Sequence, residues 1–164
     1  MKIIIVSGTP GTGKTRIAKL IARNSNYKYI DVNRLLKENK IYDSYDKKRK
    51  CFVVDIKKLN KLLIALIKKS RSNLILDSHL SHFLPKQYVN LCIITKCNLK
   101  ILKSRLKKRR YNKLKIKENL ESEIFNVCLN EALENNHNVI VIDTSKGVKH
   151  INIKQLLKFV KYGR

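Results

Sequence analysis

The sequence predicts an α/β fold built on a parallel β-sheet, with the chain read as a single domain over residues 1–164. Three observations carry this. Five short apolar runs are spread along the chain. Several are continuous rather than alternating, as strands covered by helices on both faces are. Helical periodicity fills the segments between them, and strands that alternate with helices pair in parallel.

The first run, Ile3–Val6, leads into a glycine-rich turn. A helix is predicted from about Lys14 to Arg23, with Ile17, Leu20 and Ile21 on one face. The second run, Tyr29–Ile30, is short. Asp55 is placed to cap the next helix, whose apolar positions are Leu59, Leu62, Leu63, Leu66 and Ile67. The third run, Leu74–Leu76, ends on Asp77. After the fourth, Leu91–Ile94, Asn98 opens a helix with Leu99, Leu102 and Leu106 on its apolar side. One long helix is predicted over about Lys117 to Glu134, then the fifth run Val139–Ile142, then a last helix over about Asn152 to Lys161.

Composition narrows the class. The chain carries 37 Lys and Arg against 12 Asp and Glu, a net charge of +25. With 43% hydrophobic residues it is too apolar for a disordered basic tail, so the charge sits on a folded body that attracts polyanions. The longest apolar run, Leu62–Ile67, is far below the ~20 residues of a membrane span. The run at the start is too short for a signal-peptide core. Cys51, Cys92, Cys97 and Cys128 form no CxxC pair. These points predict a soluble cytoplasmic protein with reduced thiols, in which Cys92 and Cys128 are small core residues.

Gly8-Thr9-Pro10-Gly11-Thr12-Gly13-Lys14-Thr15 matches G-x-x-x-x-G-K-[ST] in full, between an apolar strand and an amphipathic helix. Glycines let the backbone wrap close to phosphates, and the freed N–H groups point at their charge. Lys14 then reaches the β- and γ-phosphates of ATP and Thr15 offers its hydroxyl to Mg²⁺. Such a site needs an acid at the end of a neighbouring strand, and Asp77 stands there. His79, two residues on, is either a hydrogen-bonded structural residue or a group that orients a water or phosphate. Asp31 and Asp143 read as caps or turn residues, with Asp31 also a candidate for the acceptor pocket.

From Lys96 to Lys117 there are eleven basic residues and no acidic one. Arg105 and Arg109, four apart, share a helix face and could close over ATP. From Glu118 to Glu134 there are five Glu and no Lys or Arg, a natural dock, by sign alone, for a basic partner.

In this order the P-loop, Tyr42-Asp43-Ser44-Tyr45-Asp46, Asp77-Ser78-His79-Leu80-Ser81-His82-Phe83-Leu84-Pro85, Arg105-Leu106-Lys107-Lys108-Arg109-Arg110-Tyr111 and Lys117-Glu118-Asn119-Leu120-Glu121-Ser122-Glu123-Ile124 resemble the adenylate kinase isoenzyme 6 family, and its archaeal branch most. The resemblance covers residues 2 to about 143. It implies a three-layer P-loop nucleoside monophosphate (NMP) kinase fold with a five-stranded parallel sheet and a short lid. It also implies transfer of phosphate from ATP to AMP or other NMPs, with ATPase activity. Further implications are a place in small ribosomal subunit maturation and a platform ribosomal protein as partner; the charge excess adds rRNA as a candidate polyanion. By position, Gly11, Gly13, Lys14, Thr15, Arg16 and Arg109 would bind ATP. Lys14, Asp77 and His79 would be catalytic, with Thr15 and Asp77 serving Mg²⁺; the helix-face spacing adds Arg105 as a fourth catalytic candidate. Residues of about 30 to 53 would form the acceptor segment, and about 108 to 118 the lid.

Three departures stand out. Arg16 replaces the family's usual Thr, so only its backbone contact carries over. Arg110 replaces a Gly that suggests a left-handed helix end. A segment that is acidic in nuclear members reads Lys47-Lys48-Arg49-Lys50. Two other readings stay open on the residues alone: a nucleotide-gated ribosome assembly ATPase with little NMP kinase role, and a small P-loop kinase acting on shikimate, a coenzyme precursor or a polynucleotide end.

Overall fold

The computed structural model describes residues 1–49 and 51–162. Lys50, the end of the basic run begun at Lys47, lies outside the described residues, as do residues 163–164. Five parallel strands form the central sheet: β1 (Ile3–Ser7), β2 (Lys28–Asp31), β5 (Leu74–Asp77), β6 (Leu91–Lys96) and β7 (Val139–Asp143). Their order is β2-β5-β1-β6-β7. β1, β5 and β6 lie inside the sheet and read as continuous apolar runs because helices cover both faces.

Alternate residues of these strands feed two cores. Ile3, Ile5, Leu74, Leu76, Cys92 and Ile94 face α2 (Val32–Glu38), α3 (Ile56–Lys69) and α6 (Val127–Glu134). Ile4, Val6, Ile75, Leu91 and Ile93 face α1 (Lys14–Arg23) and α7 (Ile153–Tyr162). The result is the expected three-layer sandwich. A third, small core of Cys97, Leu102, Leu106 and Ile116 joins α4 (Leu99–Lys108) to α5 (Lys113–Ile124).

Asp55 caps α3 by accepting from the backbone N–H of Lys57 and Lys58, and Asn98 caps α4 through Lys100. Asp31 caps α2 through Arg34, and Asp143 accepts from Ser145 in a turn.

Three expectations need correction. The long helix over Lys117–Glu134 is two helices. Asn126 adopts a left-handed conformation (φ 54°) between α5 and α6, and its side chain accepts a hydrogen bond from Lys96. Asn tolerates this region better than most residues. In α4 only Leu102 and Leu106 are buried; Leu99 is 40% exposed. Within residues 30–53 there are α2 and a hairpin of β3 (Ser44–Asp46) and β4 (Cys51–Val53), elements the apolar-run reading passed over.

Candidate functional site

β1 ends in a sharp turn that starts α1. Gly8 has φ +134°, and a Cβ there would lie 2.5 Å from the Thr95 carbonyl oxygen. No other residue fits that approach. The Lys14 ammonium arches back over the loop, donating to the carbonyls of Gly8 (2.8 Å) and Thr9 (3.1 Å). Burial lowers its pKa to about 8, with Asp77 pulling the other way. A bound phosphate would supply the negative charge this position lacks.

Asp77 is 3% exposed, and no cation pairs with it among the described residues. Tyr29 donates to it (3.0 Å) and the Thr15 hydroxyl hydrogen-bonds it. Burial raises its pKa. Asp31, its direct neighbour in the β2–β5 register, adds a second negative field. A buried carboxylate in the field of Lys14 but with no ion pair among the described residues, touching a hydroxyl, is a hard oxygen donor set that suits Mg²⁺.

Gly11, Gly13, Lys14, Thr15, Arg16, Asp77, His79, Arg105 and Arg109 all line one cleft of about 1180 Å³. That exceeds the ~300–1,000 Å³ of a typical single-ligand pocket. At its far end stand Tyr42, Tyr45 and Phe52 of the hairpin region, with ring centroids 4.5 and 5.2 Å apart. His79 faces the cleft, and burial, reinforced by the nearby Lys14, lowers its pKa to about 4, which keeps it neutral.

The two arginines are not equivalent. Arg109 ends α4 and is exposed in the cleft. Arg105 donates to the Thr144 hydroxyl (3.0 Å), the Thr144 carbonyl (2.7 Å) and the Gly11 carbonyl (3.5 Å). In this state it braces the loop from outside. Arg110 has φ 57°, and the helix end closes with Arg110 N–H on Lys107 and Tyr111 N–H on Leu106. That Schellman pattern explains why a glycine suits the position.

Some contributors have no motif to announce them. Thr144, just beyond β7, donates to the Thr12 carbonyl and accepts from Arg105. Across the cleft mouth, Arg49 on the hairpin turn meets Glu118 of α5 (2.8 Å) and Asp46 (2.9 Å), and Asn112 donates to the Lys48 carbonyl. These contacts clasp the segment of residues 30–53 to the segment of 108–118. The polar turn between aromatic and β-branched residues was the available sign of the hairpin.

The five glutamates do not form a free acidic face. Glu118 binds Arg49, Glu123 is buried on the Cys97 N–H, and Glu131 meets His82. Only Glu121 and Glu134 are exposed. A dock for a basic partner on that face is correspondingly weaker than sign counting implies.

A family model described as AAA domain matches residues 4–126. The "Putative adenylate kinase" of Methanocaldococcus jannaschii is 36% identical over 97% of this chain and 86% of that protein. A Dictyostelium discoideum protein named adenylate kinase isoenzyme 6 homolog is 35% identical over 85% of this chain and 79% of its own length. The chain belongs to the adenylate kinase isoenzyme 6 family. Among solved structures, shikimate kinase from Acinetobacter baumannii superposes with a TM-score of 0.63 at 11% identity, over 100% of this chain and 95% of that one. At that identity the likeness concerns the P-loop kinase fold alone. Members of this family and that neighbour share the scaffold. Among the described residues of this one, no helix is long and apolar enough to cross a membrane.

Proposed function

We propose that this chain is a nucleoside monophosphate kinase that transfers the γ-phosphoryl group of MgATP to AMP or another NMP. The observation that carries the reading is the single cleft. It has a phosphate loop and an unpaired buried carboxylate at one end and an aromatic hairpin at the other. The names of the relatives point the same way.

In this reading the loop N–H groups, Lys14 and the exposed Arg109 bind the ATP phosphates, with Gly11, Gly13 and the Arg16 backbone completing the cradle. Thr15 and Asp77 hold Mg²⁺, which neutralises charge on the phosphates. Neutral His79 orients the acceptor phosphate or a water. Residues of about 30 to 53 hold the acceptor, whose base meets Tyr42, Tyr45 and Phe52. The lid of about 108 to 118 closes the cleft and excludes water. Arg105 reaches the transferring group only by releasing Thr144. Transfer is in line, and no covalent enzyme intermediate is needed. A coupled assay across all NMPs tests this: the expected result is fast ADP formation with AMP or another single NMP. Equal ATP consumption with and without every acceptor would overturn it.

A second reading is favoured by the +25 charge. The outer faces of α3 and α4 expose Lys57, Lys61, Lys68, Lys69, Lys100, Lys103 and Lys107, more positive charge than a small substrate needs. Here ATP hydrolysis gates a cytoplasmic assembly step on the small ribosomal subunit, with a platform ribosomal protein and rRNA as partners. RNA affinity that falls steeply between low and moderate salt supports it, and a flat salt response removes it.

A further inference from the structure

Behind the phosphate loop lies a group of side chains the proposed transfer does not use. Ser7 is the last residue of β1 and fully buried. Its Oγ lies 2.7 Å from His82 Nδ1. His82 Nε2 lies 2.8 Å from Glu131 Oε2. Cys128 is three residues before Glu131 on α6, so both project from one helix face. Donor atoms of His82, Cys128 and Glu131 all lie within 4.8 Å of one another.

We propose that His82, Cys128 and Glu131 form a site for a borderline-soft divalent ion, with Zn²⁺ the natural occupant, distinct from the magnesium position at Thr15 and Asp77. Three features support it. The donor set is imidazole, thiolate and carboxylate, which selects zinc over magnesium. The donors are close enough that small side-chain rotations bring them to the spacing set by Zn–N of about 2.0–2.1 Å and Zn–S of about 2.3 Å.

The third feature is the outer shell. A zinc-ligating histidine nearly always donates its other ring N–H to a partner that fixes its tautomer. Ser7 already occupies that place on His82, and the His82 side chain is only 1% exposed. His137 donates to the His82 carbonyl (2.9 Å), fixing the backbone as well. Without metal, the neutral ring gives its Nε2 proton to Glu131 and accepts from Ser7. With metal on Nε2, the ring proton moves to Nδ1 and Ser7 becomes the acceptor. A hydrogen-bonded pair alone would need no third donor, yet the Cys128 sulfur stands beside it. Burial pushes this thiol up to about 11, with Lys14 pulling the other way, so the ion must displace its proton. Cys128 and Glu131 also line the cleft, which leaves the fourth coordination position open to water or a phosphate oxygen.

The test is metal binding by chelator-treated full-length protein, read without any nucleotide. Titration with Co²⁺ should give a thiolate-to-cobalt charge-transfer band that Zn²⁺ removes and excess Mg²⁺ does not. Cys128→Ser should abolish the band, and Cys51→Ser should keep it. Ser7→Ala should weaken Zn²⁺ affinity by about 10–100-fold, as loss of an outer-shell partner does. Should Cys128→Ser fail to fold by circular dichroism, Glu131→Gln decides, since that side chain is one-third exposed; at least about a tenfold loss of affinity is expected there. Absence of the band in the wild type, its survival in Cys128→Ser, its loss in Cys51→Ser, or unchanged affinity in Glu131→Gln would each overturn the proposal.

Discussion

Around the phosphate loop the contacts run between buried groups: Thr144 to Thr12, Thr12 to Thr95, Ser7 to His82. Over the opposite mouth of the cleft they run between side chains partly in water. Arg49 is 48% and Glu118 33% exposed where they meet. Buried hydrogen bonds are costly to break because the partner left behind is unsatisfied, whereas exposed ion pairs contribute little and exchange readily with water. One end of the cleft is therefore built to stay, and the other to open.

Substitutions at the floor should break function or stability hard. Lys14→Ala removes the loop's cation, and phosphoryl transfer should drop by roughly 10²–10³ in the coupled assay, the range for loss of one preorganised charge-stabilising donor. Near-normal transfer would refute the assignment. Thr144→Val keeps the shape but orphans the Thr12 carbonyl and removes one of the three acceptors of Arg105, leaving the Thr144 and Gly11 carbonyls. It should cost about 1–3 kcal/mol, read from urea midpoints at constant m-value.

The floor should also show in acid. Burial lowers His82 to about 4 and lowers His137 too. As pH falls through 6.5 the unfolded chain takes up protons that the folded one refuses, so stability is lost between about 6.5 and 4. His137→Gln should flatten the pH dependence of the urea midpoint in the metal-free protein, and an unchanged slope would remove that contribution.

Asp77→Asn separates folding from function. It removes an unpaired buried charge yet leaves an acceptor for Tyr29. Thermal stability without nucleotide should rise, by an amount of order 1 kcal/mol, while Mg²⁺-dependent activity collapses. A fall in stability would mean the charge is better solvated than its burial implies.

At the clasp the effects should be smallest. Arg49→Ala should leave the urea midpoint almost unchanged and should act on the acceptor KM more than on kcat. A large loss of stability would erase the contrast between the two ends.

The two ends also differ in how legible they were in sequence. The loop, Asp77 and the inner strands could be read because each is a local pattern: fixed glycine spacing, or an apolar run ending in an acid. The clasp joins residues 69 apart through Arg49 and Glu118, and no local pattern encodes that pairing. Thr144 is a lone threonine in a turn, given meaning only by the loop it touches. The helix break at Asn126 was hidden because neither Gly nor Pro marks it. Counting five glutamates on one presumed helix hid the fact that Glu118, Glu121, Glu123 and Glu131 already had partners.

That break has a mechanical side. A straight helix over the 22 residues from Lys113 to Glu134 would be a rod about 33 Å long, at 1.5 Å per residue. Its front end would carry Glu118 and the clasp, and its rear end Cys128 and Glu131 against the loop wall. Lifting the front would lever the rear off its seat. Asn126, tied to Lys96 at the end of β6, divides that length, so the segment bearing the clasp and the segment against the loop wall are two short rods rather than one lever.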